Sequence, residues 1–269
     1  MIRLGVAISK TAFALLEAGK LDVDYLQVYG QMGIDDLKKI APYKPLMLQD
    51  LHNSFWLNYE NPFHEDLMQE ARAMLDVAKS LWFSTGIGAS AEPQGHRDGP
   101  YREANDEDLQ PREHVVENII QHGRRLREWL DVPLLLENFN YHATNAYEYI
   151  WEPELFSHLL DEIECGMLLD LAHARISAHN MKEWGDTGDY LEALPLYKVR
   201  EIHFTRPGRQ GNQMVDLHEP VEADDFEWLA WVMERAPVEA VTLEVDDIPA
   251  DKLLQQIEAM RKFLQQQNG

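Results

Sequence analysis

The chain has 269 residues and a mass of 31.2 kDa, is 45% hydrophobic, and carries 24 Lys+Arg against 47 Asp+Glu, a net charge of −23. That size and apolar content suit one large α/β domain with a sizeable core. So acidic a chain repels phosphate backbones and anionic lipid, which argues against nucleic-acid and membrane partners. Cys165 is the single cysteine, so no internal disulfide can form and a reducing compartment is expected. The segment ECGMLLD places it just before a strand, as a small core residue rather than a nucleophile. The opening MIRLGVAISK reads as a strand, without the charged region and cleavage site of a signal peptide. No apolar run approaches the roughly 18 residues of a membrane span. The expected location is cytoplasmic.

Eight strand-like runs follow in order: RLGVAIS from Arg3, VDYLQVY from Val23, PLMLQ from Pro45, LWFSTGIG from Leu81, PLLLE from Pro133, GMLLD from Gly166, VREIH from Val199 and AVTLE from Ala240. Most are short and apolar on both faces, as parallel strands buried on both sides are. Between them lie helix-period segments: 11–18, 34–40, 62–80, 111–130, 153–164, 224–235 and 249–267. Asn61-Pro62 reads as an N-cap followed by a first-turn proline. The alternation predicts a single (β/α)8 TIM barrel over residues 1–269, with an open doubly wound sheet as the main alternative. Three long polar stretches, 89–110, 138–151 and 205–225, follow strands and would overhang the mouth as binding loops.

Four of the apolar runs stop at a residue able to bind a metal: Glu137, Asp170, His203 and Glu244, separated by 33, 33 and 41 positions (170−137, 203−170, 244−203). Such gaps match one strand-loop-helix-loop unit, so these residues converge on the C-terminal mouth of a barrel. An unpaired carboxylate there costs several kcal/mol to bury. For one residue alone, a salt bridge to Arg or Lys would suffice; four at matching strand ends favour a divalent metal. His173, three residues past Asp170, is either a ligand, a substrate contact or a packing residue, and His179 follows in the same loop. Asp216 and His218, in VDLHEP, alternate and share a face if that stretch is strand-like. Arg206 and Arg209 are candidate clamps for an anionic substrate, or else offset the acidic mouth; Asn138, beside Glu137, is a third candidate substrate contact. Asp246 and Asp247 read as solvated or capping the last helix. His52, His64, His96, His114, His122, His142 and His158 lack a supporting pattern, and Walker loops, GxSxG elbows and zinc-type cysteine pairs are absent.

With these residues in view, LLLENFNYH (134–142), GMLLDLAHARISAHN (166–180), YLEALPLYKVREIHF (190–204), VDLHEPV (215–221) and LEVDDIP (243–249) resemble the multinuclear non-haem iron-dependent oxidase family. Its members were long a domain of unknown function; those characterised modify cysteines in ribosomally made peptides, methanobactin precursors among them. The resemblance implies a xylose-isomerase-like barrel, iron as the metal, and a short peptide or small-molecule thiol as substrate. It leaves room for an accessory protein. Matched motif by motif, it puts the metal on Glu137, Asp170, His179, His203, Asp216, His218 and Glu244. Three family histidines fall on Gln49, Gly86 and Pro207, and paired asparagines fall on Ala172 and His173. Oxygen ligands from Gln49 and Asp50 would suit Mn or Mg better than imidazole does. The surviving four ligands also resemble those of sugar isomerases and ketose epimerases of the wider barrel group. In that alternative, Glu137 and Glu244 would shuttle a proton while His173 and Arg206 or Arg209 orient a hydroxy-carbonyl substrate. A non-catalytic metal-binding or scaffold barrel is the remaining alternative.

Overall fold

The computed structural model describes residues 1–50, 56–58, 65–91, 102–181, 184 and 186–267. The first half of the chain runs β1 (Arg3–Ala7), α1 (Lys10–Glu17), β2 (Tyr25–Tyr29), α2 (Ile34–Ile40), β3 (Leu46–Gln49), α3 (Glu65–Ala78), β4 (Phe83–Gly86) and α4 (Arg112–Trp129). Then come β5 (Leu134–Glu137), α5 (Pro153–Ile163), β6 (Gly166–Asp170), α6 (Leu171–Asn180), α7 (Thr187–Ala193) and β7 (Val199–Phe204). The last part is β8 (Arg206–Gln210), β9 (Gln213–Glu219), α8 (Ala223–Met233), β10 (Ala240–Leu243) and α9 (Ala250–Gln267). β1 to β7 and β10 are parallel and close into a barrel, β10 pairing with both β7 and β1. β8 and β9 form a separate antiparallel hairpin between β7 and α8. All eight runs expected as strands are the eight barrel strands, so the open sheet is excluded. No helix among the described residues is long and apolar enough to cross a membrane.

The pleat sorts side chains by parity. Leu26, Val28, Leu46, Leu48, Phe83, Leu134, Leu136, Met167, Leu169, Ile202, Phe204, Val241 and Leu243 point outward into the core shared with the helices. Their neighbours Tyr25, Met47, Trp82, Leu135, Leu168 and Ala240 point inward and form a small second cluster. Two residues further along each strand the same inward parity delivers Gln27, Gln49, Ser84, Glu137, Asp170 and Thr242, and then Tyr29 and Glu244. The barrel interior therefore turns from apolar to polar toward the C-terminal strand ends. Lower down, fully buried Glu201 sits among the apolar cluster. Its Oε1 accepts from Tyr25 Oη (3.0 Å) and Thr242 Oγ1 (2.6 Å), and its Oε2 accepts from Trp82 Nε1 (2.6 Å).

Two connections differ from the sequence expectation. The polar stretch after β7 is the β8–β9 hairpin, tightened by a type of turn that places Gly211 at φ 61. The segment after Asp170 is helix α6 rather than a loop, because Asp170 caps it directly: its Oδ1 accepts from His173 N at 2.8 Å. The Asn61-Pro62 cap, His52, His64 and His96 lie outside the described residues. Cys165 is buried, and burial pushes its thiol up to about 12, so it is inert packing.

Trp82→Phe would leave one oxygen of the buried Glu201 without a donor. It should lower unfolding free energy by about 1–3 kcal/mol. Urea melts should show a lower midpoint at unchanged slope.

Candidate metal centre

Asp170, 1% exposed, is held at every polar atom but one. The Asn138 side chain straddles its backbone, Nδ2 donating to Asp170 O (3.0 Å) and Oδ1 accepting from Asp170 N (2.8 Å). With Oδ1 spent on the helix cap, Oδ2 is left without a hydrogen-bond partner among the described residues. Burial pushes this carboxyl up, against the charge of His173.

His203 is fully buried between Glu137 and Glu244. Its Nδ1 lies 2.8 Å from Glu244 Oε2 and 3.5 Å from Glu137 Oε1, and its Nε2 lies 4.0 Å from Glu201 Oε1. Neither nitrogen makes an aligned hydrogen bond among the described residues, so these are charge contacts. Burial alone would lower the imidazole, but Glu244 and then Glu137 outweigh it and hold it raised. The two glutamates are themselves tethered. Tyr29 Oη donates to Glu244 Oε1 at 2.5 Å, and Gln49 Nε2 donates to Glu137 Oε2 at 2.9 Å. Gln49 Oε1 in turn accepts from Gln27 Nε2 at 3.0 Å. Despite burial, the charges of His203 and His218 hold the Glu244 carboxyl well below its ordinary range.

His173 sits across the cluster. Its Nδ1 is 2.9 Å from the Asn138 carbonyl, which can only accept, so Nδ1 carries a proton. Its Nε2 faces Asp216 Oδ2 (3.5 Å) and Asp170 Oδ2 (3.8 Å). Asp216 and His218 arrive on β9, with His218 Nε2 3.3 Å from Asp216 Oδ1 and His218 Nδ1 3.6 Å from Asp246. His218 takes a left-handed backbone, φ 46, a strained conformation for a histidine. Burial lowers its imidazole, but Glu244, Asp216 and Asp170 together bring it up to about 10. The hairpin is pinned by Asn180 at the end of α6. Its Nδ2 donates to Met214 O (2.9 Å) and Tyr141 O (2.9 Å), and its Oδ1 accepts from Met214 N (3.0 Å).

Two groups of donors result, Glu137–Asp170–His173 and Asp170–His203–Glu244, each with ligand atoms within 4.8 Å of one another and sharing Asp170. They open into a cleft of about 490 Å3 that Asp216 and His218 also line. The donor set fits a divalent cation. It combines carboxylate oxygens with imidazole nitrogens, and Asp170 Oδ2 and both His203 nitrogens are buried without a hydrogen-bond partner among the described residues.

Four other expected site residues lie elsewhere. His179 is exposed, six residues and so about 9 Å along α6 from His173, with Nε2 3.3 Å from Asn212 O on the hairpin. Arg206 turns away to the start of α8, where Nη1 donates to Asp224 (2.7 Å) and Asp225 (2.8 Å). Arg209 is exposed near the hairpin tip. Asn138 spends its side chain on Asp170, so it supports a candidate ligand rather than meeting substrate. Gln49 turns its amide nitrogen to Glu137 and so donates instead of ligating. At Gly86 a Cβ would lie 3.3 Å from Phe139 Cε2, so an aromatic ring borders the place of the family imidazole. Pro207 is buried within β8.

The cleft also holds residues that sequence reasoning missed. Arg102 stacks on Trp56, 4.3 Å from its ring centroid, and both line the cleft. They sit in irregular segments without a motif. Asp50, expected beside Gln49 as an oxygen ligand, also lines the cleft; at φ 45 it accepts from Thr85 Oγ1 (2.5 Å), and burial pushes its carboxyl up to about 7. Tyr29 ends a strand, and Tyr25-Gln27-Tyr29 shows the alternation that would have found it.

The fold is that of the xylose-isomerase-like TIM barrels. A D-tagatose 3-epimerase-like protein superposes with TM-score 0.65 at 13% identity, over 99% of this chain and 98% of that one. D-psicose 3-epimerase from Clostridium cellulolyticum H10, solved with D-tagatose, gives 0.60 at 12% identity, over 97% and 98%. A xylose isomerase-like protein from Mycobacterium smegmatis, solved with magnesium, gives 0.61 at 14%, over 98% and 96%. Within that class, the chain belongs to the RiPP precursor modification enzyme MbnB/TglH/ChrH family, whose model matches residues 21–265. A UPF0276 protein of Acaryochloris marina (strain MBIC 11017) is 24% identical over 230 residues, 84% of this chain and 79% of that protein. A second, from Anaeromyxobacter sp. (strain Fw109-5), is 31% identical over 146 residues, 53% of this chain; the match spans half (50%) of that relative's length.

Asn180→Ala should free the hairpin while the barrel stays folded. The loss of four hydrogen bonds at a half-buried amide, one of them to His142 Nδ1 (3.4 Å), should cost about 1–3 kcal/mol. Hydrogen exchange should quicken at Met214 to His218 and not in β5 or β6.

Proposed function

We propose that the chain is a metal-dependent oxidoreductase that modifies a cysteine of a ribosomally made peptide, or another small thiol. Iron is the proposed metal for this reaction; Mn or Mg, the alternatives for the site, would belong to the second reading below. The observation that carries this reading is the state of the donors. Asp170, Glu137, Glu244 and His173 each have one polar atom tied by a neutral neighbour and a second directed into the cluster. Family membership supplies the substrate class: a RiPP precursor is a ribosomal peptide.

Asp170, His203 and Glu244 would hold one ion, and Glu137 and His173 would share Asp170 in holding a second. Iron there would supply a path for electrons from a bound thiolate sulfur to dioxygen. The chain's own part is to fix geometry. Tyr29 keeps Glu244 Oε1 occupied so that Oε2 faces His203, and Gln49 does the same for Glu137. Despite burial, the charges of His173 and His218 hold the Asp216 carboxyl well below its ordinary range, so Asp216 would orient both imidazoles rather than take a proton.

Protein purified without oxygen should contain iron, and His203→Ala and Asp170→Ala should lose it. Tyr29→Phe and Gln49→Leu should weaken metal affinity on the order of 10–100-fold, since they free a ligand without removing it. Elemental analysis and competition with a chelator read both effects. Iron-free protein that turns over substrate with Mg or Mn would refute the reading.

The sugar-epimerase neighbours and the Glu137–Glu244 pair either side of His203 favour a second reading, isomerisation or epimerisation of a hydroxy-carbonyl compound. There the glutamates would exchange a proton at the substrate carbon. Deuterium should then wash into that carbon from solvent, and the exchange should fall at least 100-fold in Glu137→Gln and Glu244→Gln. Wash-in that survives both substitutions removes it.

A further inference from the structure

A second recess, of about 470 Å3, opens beside the metal cleft between the mouth ends of β1 and β2 and helices α1 and α2. The two share Ile8, Ser9, Tyr29 and Gln31, so they are compartments of one space. Their chemistry differs. Ile8, Phe13, Met32 and Ile40 give the recess apolar walls, whereas the cleft is lined by carboxylates. Its polar wall groups are engaged: Ser9 Oγ caps α1 by accepting from Ala12 N (3.1 Å), and Tyr29 Oη binds Glu244. Tyr29 is the partition. Its hydroxyl reaches a candidate metal ligand while its ring lines the recess. Two lysines edge the recess, against the −23 of the whole chain. Lys39 is paired with Asp36 at 2.7 Å, and Lys10 is exposed at the start of α1.

We infer that this recess is a specificity subsite that takes an apolar side chain of an acidic peptide, one or two residues from the residue reacting in the cleft. The inference rests on the peptide reading and narrows it. A sugar would leave the apolar walls wet, and a small thiol would leave most of the volume empty. The spacing follows from the partition: a tyrosine ring is about 6 Å across, and an extended chain advances about 3.3–3.6 Å per residue. Burial of the side chain against Phe13 and Met32 provides affinity, and Lys10 selects an acidic flank.

The test uses metal-loaded protein carrying [methyl-13C]methionine, with the Met32 resonance assigned through Met32→Leu. The probes are blocked Asp-Leu-Cys and Cys-Leu-Asp peptides and their Leu→Ser counterparts. The Met32 methyl reports the recess, and thiolate-to-metal absorption reports the cleft. One Leu peptide should shift Met32 and bind roughly tenfold or more tighter than its Ser counterpart. Phe13→Ser should erase that preference, and Lys10→Glu should weaken binding of both. The peptide substitution needs no change in the protein, so misfolding of Phe13→Ser would leave the comparison intact. Thiolate absorption with equal Leu and Ser affinities and a stationary Met32 would overturn the subsite and leave the thiol reading standing. A Met32 shift and Leu preference without thiolate absorption would support the subsite and overturn the thiol reading. If no peptide binds, both fall.

Discussion

The site depends on how few hydrogen bonds the mouth of the barrel can offer its own carboxylates. Asp170, Glu137 and Glu244 each keep one oxygen in a neutral hydrogen bond and turn the other toward the same point, where His203 has no aligned partner among the described residues. Charge contacts with His203 and His173 relieve part of the repulsion, which is why both imidazoles are held raised and Glu244 is held low. Protons are a poor answer to that geometry. A proton on His203 points at neither glutamate along a hydrogen-bond axis, whereas a cation accepts ligands from several directions at once.

Burial alone does not produce such a site, as Glu201 demonstrates within the same strand. It is as buried as His203, two residues away, yet Tyr25, Thr242 and Trp82 satisfy both of its oxygens with neutral donors. One layer up, the inward positions carry Gln49, Glu137, Asp170 and His203, and the one aligned side-chain hydrogen bond among these four runs from Gln49 to Glu137. The difference between a structural carboxylate and a candidate ligand is therefore a local shortage of N–H and O–H groups. That shortage falls at the C-terminal strand ends, the layer the pleat turns toward the cleft.

The strand ends were legible because parallel strands buried on both faces leave little ambiguity: an apolar run ending in Glu, Asp or His stands out. The barrel followed from the same runs. Residues outside the strands were less legible. His179 reads as a partner of His173 in one loop, but Asp170 caps α6 with no intervening residue, and the helix carries His179 away. Arg206 follows His203 by three positions, yet β8 turns it out toward Asp224 and Asp225, a destination set by a hairpin whose pairing is invisible in composition. Asn138 and Asn180 are ordinary asparagines in sequence. Their importance lies in both ends of each amide meeting one distant residue's backbone.

The departures from the family pattern become physically coherent at Gln49. An imidazole there would be a ligand; the amide is a donor, and it converts Glu137 from a carboxylate with two free oxygens into one with a single free oxygen. Phe139 borders the space above Gly86, so that side of the mouth is apolar where the family has a histidine. The β8–β9 hairpin brings Asp216 and His218, positions that the resemblance also marks, to the mouth, fixed by Asn180. The donors lie on β5, β6, β7, β10 and the hairpin, while the β1–β2 side is a wall of Tyr29, Ile8 and Phe13. The candidate ligands therefore share one arc of the mouth, each fixed by a neutral donor, and Tyr29 joins that arc to the apolar wall by holding Glu244 with its hydroxyl.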